Sequence, residues 1–206
     1  MTQNILEKFI VIEGIDGAGT TTQAKLLASN IKNAIFTFEP SNNPIGLFIR
    51  EILKGQIVVN ESSLPYLFSA DRTEHLFGQS GVIENINNGK IVICDRYFFS
   101  SIAYQSLSFP KDKIISLNED FPLPEIVFFI NTPVEEAMKR INCRKERDMF
   151  DSETLQKRIL NNYIEIFDYY KDKTNVAIID GLDSIDNILN KLLSLSDILC
   201  KCKISG

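Results

Sequence analysis

Five short, nearly continuous apolar runs punctuate the chain: Phe9–Glu13, Ala34–Phe38, Lys90–Cys94, Ile126–Asn131 and Val176–Asp180. Runs of that length with little polar alternation are the pattern of strands buried on both faces. Between them, apolar residues recur at helical spacing over Thr21–Asn30, Ile45–Leu53, Leu64–Asn87, Ser100–Ser106, Val134–Asn142, Ser152–Tyr170 and Ser184–Leu199. Ser152 and Ser184 stand where N-caps belong, since a short side-chain oxygen can accept an orphan amide of the first turn. Pro65 falls in the first turn of its helix, where its missing N–H is harmless. Asn88-Gly89 closes the same segment. Strand–helix alternation predicts an α/β fold in three layers, a five-stranded parallel sheet with helices on both faces and right-handed crossovers. Ligands of such sheets gather at the carboxyl ends of the strands, so chemistry is expected just after each apolar run. No repeat, low-complexity tract or linker divides the chain, and residues 1–206 read as a single domain.

Composition narrows the picture only a little. The 206 residues are 44% hydrophobic with a net charge of −5, which suits one soluble domain. No apolar run approaches the ~20 residues a membrane helix needs, so no membrane partner is expected. The first eight residues lack a basic start followed by an apolar stretch, and secretion is not expected. Cysteines stand at 94, 143, 200 and 202 without a disulfide framework, the usage of a reduced cytoplasmic protein. Cys200-Lys-Cys202 offers two ligands where structural zinc takes four. Mild acidity argues against a nucleic-acid partner, and a small anionic ligand would need locally concentrated cations.

The first apolar run is followed by Gly14-Ile15-Asp16-Gly17-Ala18-Gly19-Thr20-Thr21-Thr22 and then an amphipathic segment. A phosphate-binding loop asks for G-x-x-x-x-G-K-[ST] between a strand and a helix. Gly14 and Gly19 take the glycine positions and Thr21 the hydroxyl position, but Thr20 stands where the lysine belongs. Backbone amides of such a loop and of the helix behind it form an anion nest, which glycines leave open to phosphate oxygens. ATP and Mg²⁺ are the implied cofactors, with Thr21 as a metal ligand. A glycine turn that merely caps a helix would share these residues. After the third run comes Asp95-Arg96-Tyr97: an Asp closing a buried strand beside such a loop is placed to hold Mg²⁺ or its waters. The Arg96 fork matches phosphate oxygens. A purely structural Asp–Arg pair at a sheet edge would look similar.

Asp95-Arg96-Tyr97-Phe98-Phe99-Ser100-Ser101-Ile102-Ala103-Tyr104-Gln105 closely resembles the thymidylate kinase signature D-R-[YFH]-x-x-S-x-x-A-[YF]-Q. Leu67–His75 resembles the same family's nucleoside-binding helix, Ile12–Gly17 its loop entry, and Pro44–Ile52 falls in family order. The similarity covers nearly the whole chain. It implies phosphoryl transfer from MgATP to dTMP, giving dTDP, in a homodimer formed through helices such as Leu64–Asn87. By resemblance, Asp16 meets the 3′-hydroxyl of the deoxyribose, Phe68 stacks on thymine and Arg72 hydrogen-bonds the base edge. Arg96 holds the dTMP phosphate, Ser101 and Gln105 lie near the base, and Tyr104 crowds the sugar's 2′ position. Arg50 reaches toward the acceptor phosphate.

Three residues depart from the family's pattern. Phe38 replaces the Arg that bacterial members carry before the Glu-Pro, so one phosphate-binding cation is either missing or supplied by Arg50. Asn131 stands where Asp is commoner. The third is Thr20. Lys8 lies at the far end of the sheet, and Lys25 is about 7.5 Å along the helix and about 140° around it. Arg140, Arg144, Lys145 and Arg147 place four cations in eight residues, between two helices and at the position of the family's basic lid, about residues 140–151. A solvated loop would also be charged. Arg144 and Arg147, then Arg140, are the expected source of the missing charge. Removing one transition-state donor costs about 10²–10³ in rate, so without compensation the chain would be a weak, nucleotide-binding pseudokinase. A kinase for another deoxynucleotide or a deoxynucleoside is the remaining alternative. His75 is expected on a helix surface, outside the chemistry.

Overall fold

The computed structural model describes residues 3–143, 150 and 152–202. Five strands form one parallel sheet: β1 (Ile5–Glu13), β2 (Ala34–Phe38), β3 (Ile91–Asp95), β4 (Leu123–Asn131) and β5 (Asn175–Asp180). Their spatial order is β2-β3-β1-β4-β5. The three central strands carry the continuous apolar runs, and every β4 residue but Asn131 is buried. The edge strands β2 and β5 are only partly covered. Their apolar sequences therefore look alike from the chain but serve a one-sided burial.

Around the sheet lie α1 (Thr20–Asn30), α2 (Pro44–Leu53), α3 (Leu64–Phe77), α4 (Val82–Asn87), α5 (Phe98–Gln105), α6 (Lys111–Ser116), α7 (Val134–Asn142), α8 (Glu153–Tyr170) and α9 (Ile185–Cys202). The expected caps are present: Ser152 Oγ accepts from Leu155 N–H and Ser184 Oγ from Asn187 N–H. Pro65 occupies the first turn of α3.

Three expectations are corrected. The segment Leu64–Asn87 is two helices, because the Gly78–Gly81 turn breaks it: Gly78 N–H closes α3 on Glu74 O at 2.9 Å, and Ser80 takes a left-handed φ of 57°. A side chain at Gly78 would meet Glu74 O at 2.4 Å, so this glycine marks a close approach. Helix α6 has no counterpart among the predicted elements, since its six residues bury only Ile114. Strand β1 begins at Ile5 rather than Phe9, hidden by the polar Glu7-Lys8, where a register shift lets Lys8 adopt a φ of 63°.

Helices α5 and α8 pack on the sheet through an aromatic cluster. Phe98 and Phe99 stand 4.2 Å apart, Phe99 meets Phe167 at 5.5 Å, and Phe129 of β4 meets Tyr163 at 5.2 Å. All of these are buried. The cluster fixes α8 against the carboxyl ends of β1 and β4, where the glycine loop emerges.

Candidate active site

The loop after β1 turns through two left-handed glycines, Gly17 at φ 80° and Gly19 at φ 96°. Helix α7 packs so closely that a Cβ on Gly17 would lie 2.4 Å from Ala137 O. Helix α1 starts directly at Thr20, so its unpaired first-turn amides open into a small cavity lined by Asp16, Gly17, Gly19, Thr20, Thr21, Thr22 and Arg96. Thr20 is itself buried, with its methyl 3.0 Å from where a Gly14 side chain would begin. Gly14, Ile15 and Ala18 complete the loop, Ala18 N–H closing on Ile15 O at 3.1 Å. Thr21 Oγ1 donates to Asp95 Oδ2, joining the two expected metal ligands. Asp95 Oδ1 is buried without a hydrogen-bond partner among the described residues. A hydroxyl and a carboxylate with an uncommitted oxygen form a hard-oxygen donor set that suits Mg²⁺.

Arg96 adopts a left-handed φ of 69°, held by its own N–H on Ile12 O at 2.9 Å. That backbone turns the guanidinium back over the loop. Its Nη2 pairs with Asp16 Oδ1 at 2.7 Å, and its Nη1 reaches Gly14 O at 2.9 Å and the hydroxyls of Tyr104 and Tyr163 at 3.2 and 3.3 Å. Burial works against the charge, but Tyr104, Asp16, Tyr163 and Asp95 together hold its pKa well above the ordinary arginine value.

Beneath it lies Glu13, fully buried. Its carboxylate accepts from Tyr97 N–H at 2.8 Å, Ser100 Oγ at 2.6 Å and Tyr163 Oη at 2.9 Å. Desolvation raises its pKa to about 7, against the opposing pull of Arg96 and these hydrogen bonds.

A larger cavity of about 310 Å³ opens beside Arg96. Asp16, Arg50, Phe68, Arg96, Ser101, Tyr104 and Gln105, all expected substrate contacts, line it, together with Phe38 at the position of the replaced Arg. Arg50 stacks over Phe38 at 4.7 Å and donates through Nη2 to Ser41 O at 2.9 Å and to Pro40 O. Gln105 Oε1 is buried with no partner among the described residues. Asp16 and Arg96 line both cavities, so these meet at that ion pair.

Arg72 stands behind this cavity rather than among its lining residues. Its Nε and Nη2 donate to Glu39 Oε2 at 2.9 and 2.7 Å, Nη2 also to Ser101 Oγ at 3.0 Å, and Nη1 to Asn118 Oδ1 at 2.5 Å. His75 is not on a helix surface. It is buried, with Nδ1 3.1 Å from Glu39 Oε1 and Nε2 2.6 Å from Thr37 Oγ1. It stands one turn on from Asp71 and Arg72, on the face of α3 turned toward the end of β2 and the loop that follows it.

Arg140, on α7, donates through Nη1 to Gly17 O at 3.4 Å and through Nη2 to Gly181 O at 3.1 Å, while Nε pairs with Glu136 at 3.2 Å. It lines a third cavity with Ala18, Gly19, Thr22, Gln23 and Ile185, on the α9 side of the glycine loop. Arg144 and Arg147 lie outside the described residues. Sequence reasoning missed four buried polar groups: Glu13 at the end of β1, Glu39 just past β2, and Gln156 and Tyr163 on α8. The one available signal was a polar residue interrupting a hydrophobic stretch, which also occurs at solvated positions.

The family model described as Thymidylate kinase matches residues 12–192 of the chain. A probable thymidylate kinase of Methanocaldococcus jannaschii is 40% identical over 187 residues, covering 90% of this chain and 93% of that protein. One from Pyrococcus horikoshii is 35% identical over 198 residues, covering 91% and 94%. Among solved structures, the thymidylate kinase of Candida albicans superposes with a TM-score of 0.80 at 25% identity, over 96% of this chain and 93% of that one.

Proposed function

Because the chain belongs to the thymidylate kinase family of nucleoside monophosphate kinases, we propose that it transfers the γ-phosphoryl group of MgATP to dTMP, giving dTDP and ADP. The observation that carries this reading is the junction of two cavities at Asp16 and Arg96, an aromatic one suited to a base and an amide-lined one suited to phosphates. The acceptor base stacks on Phe68, with Ser101 and Gln105 at its edge, and Arg72 fixes Ser101 from behind through the 3.0 Å bond. Tyr104 excludes a 2′-hydroxyl, and Asp16 takes the 3′-hydroxyl. Arg96 exchanges part of its pairing with Asp16 for the acceptor phosphate, and Arg50, stacked on Phe38, supports the same group.

Thr21 and Asp95 are the residues that would hold Mg²⁺, which supplies charge neutralisation on the donor phosphates when bound. The acceptor oxygen is already ionised near neutral pH, so the chain provides position and countercharge rather than a strong general base. Arg140, Arg144 and Arg147 supply the charge absent at Thr20. Arg140 is supported by its hydrogen bond to Gly17 O, on the loop itself.

Residues 1–206 act as one domain, supported by the single sheet and a core running from β1 to α9. A homodimer through α2 and α3 is supported by exposed Leu47, Phe48, Tyr66 and Phe77. A cytoplasmic location accords with the free thiols of Cys94 and Cys143, and no helix among the described residues is long and apolar enough to cross a membrane. Thr20 favours a second reading, a nucleotide-binding protein with negligible turnover.

Incubation with ATP and each of dTMP, dUMP, thymidine, UMP and dCMP tests the assignment by the acceptor consumed. The highest kcat/KM for dTMP supports it; preference for thymidine refutes it, and ATP binding without transfer to any acceptor establishes the second reading.

A further inference from the structure

Gln156 plays no part in the phosphoryl transfer described above, yet it is fully buried on α8. Its side-chain amide spans three partners. Oε1 accepts from Asp16 N–H at 3.2 Å, while Nε2 donates to Asp16 Oδ2 at 3.0 Å and to Phe150 O at 3.0 Å. A backbone N–H can only donate and a carbonyl can only accept, so these partners fix which end of the amide faces which. Both amide hydrogens are thereby used, and both face acceptors.

The other Asp16 oxygen, Oδ1, is held by Arg96 Nη2 at 2.7 Å. The carboxylate is thus gripped from two sides by unlike donors. The charged one, Arg96, is the group that turns toward the acceptor phosphate. The neutral one stays in place. Seven residues along α8 and on the same helix face, Tyr163 Oη is anchored on Glu13 at 2.9 Å and Ser100 at 2.7 Å, so the helix carrying Gln156 is itself tied to the end of β1.

We propose that Gln156 is a positioning residue that holds the Asp16 carboxylate in register with the acceptor's 3′-hydroxyl, and thereby sets selectivity for acceptors that carry one. This role rests on the reading of Asp16 as the group that meets the 3′-hydroxyl, and it requires that Gln156 act only through Asp16. The relevant measure is the ratio of kcat/KM for dTMP to kcat/KM for 3′-deoxythymidine monophosphate, which lacks the hydroxyl and is otherwise the same acceptor.

The experiment measures this ratio for the full-length wild type and for Gln156→Leu, Gln156→Glu and Asp16→Ala, alone and with Asp16→Ala/Gln156→Leu. Urea unfolding accompanies each variant, and the near-isosteric Gln156→Glu serves should the leucine variant not fold. Loss of a hydrogen bond to a charged group predicts about a tenfold fall in the ratio for either Gln156 variant, carried by KM for dTMP, with 3′-deoxythymidine monophosphate kinetics little changed. The double variant should be no worse than Asp16→Ala alone. If Asp16→Ala collapses the ratio while both Gln156 variants keep the wild-type value, the positioning role is refuted. Equal losses for both acceptors would likewise refute it, leaving a purely structural glutamine. If Asp16→Ala itself leaves the ratio unchanged, it is the 3′-hydroxyl reading of Asp16 that fails.

Discussion

Replacing Glu13 with Gln should flatten part of the protein's stability–pH curve. Glu13 has an ordinary carboxyl pKa of 4.5 in the unfolded chain and one of about 7 in the fold, where burial dominates. Folding therefore favours the protonated form. The stability associated with that proton is fully present below pH 4.5 and is lost as pH rises to about 7, because the native state binds a proton the unfolded state has released. At 1.36 kcal/mol per pH unit the difference amounts to about 3 kcal/mol, undiminished by solvent at a residue that is 0% exposed. Gln is sterically close and chemically tolerated. Its Oε1 can keep the N–H groups of Tyr97 and Ser100, and its amide can donate to the Ser100 or Tyr163 hydroxyl, both of which can accept as well as donate. Urea unfolding of wild type and Glu13→Gln between pH 4.5 and 8 provides the assay. The stability difference should shift by about 3 kcal/mol in favour of Gln as pH rises. Curves that run parallel within about 0.5 kcal/mol would refute the argument, since natural buried-carboxyl effects of this size exceed that scatter.

Three other perturbations follow from the same geometry. Glu39→Gln leaves the buried Arg72 without its counter-ion and should destabilise the protein by about 3 kcal/mol, read by urea unfolding; a loss below about 1 kcal/mol, the size of an ordinary hydrogen bond, would mean that Asn118 and Ser101 suffice for Arg72. Gly17→Ala must place a methyl 2.4 Å from Ala137 O at a φ of 80°, so kcat/KM for ATP should fall at least tenfold, and near-normal kinetics would show that α7 can move away at little cost. Thr20→Lys puts the missing cation at the loop, and a gain of roughly 10²-fold in kcat would show that charge elsewhere does not already compensate; a change under threefold would show that it does.

How much of this was visible in the chain depended on whether local pattern and tertiary placement agree. The glycine loop, the signature block and the central strands were visible because backbone demands fix their residues: left-handed glycines, continuous apolar runs, and a carboxylate at the end of β3. The break at Gly78–Gly81 was obscured because apolar pairs, Leu76-Phe77 and Val82-Ile83, flank it on both sides and carry the apolar pattern across the turn. His75 illustrates a different failure. Nothing in Arg72-Thr-Glu-His75 tells which side faces β2, and its burial depends on Glu39, some thirty-six residues earlier. Gln156 and Tyr163 were missed for the same reason, since their partners Asp16 and Glu13 lie 140 and 150 residues away. Long-range polar pairs leave no periodic trace.

Charge balance then bears on Thr20. Among the described residues the one arginine at the junction of the cavities, Arg96, is already paired with Asp16 at 2.7 Å, so that pair brings no net positive charge. Asp95 adds a negative charge, which suits a metal but not a bare phosphate. An acceptor monophosphate brings roughly two negative charges near neutral pH, and the donor brings more. Against these the glycine loop offers backbone amides, whose partial charges sum to about half a unit at a helix N-terminus. Amides can therefore orient the phosphates but cannot neutralise them. Arg140 reaches the loop only through carbonyl oxygens, at Gly17 and Gly181, and its Nε is shared with Glu136. Neutralisation on this scaffold thus falls to cations other than the loop amides, the proposed Mg²⁺ and Arg50 among them, which is why the Thr20→Lys measurement bears on the whole charge distribution rather than on one residue.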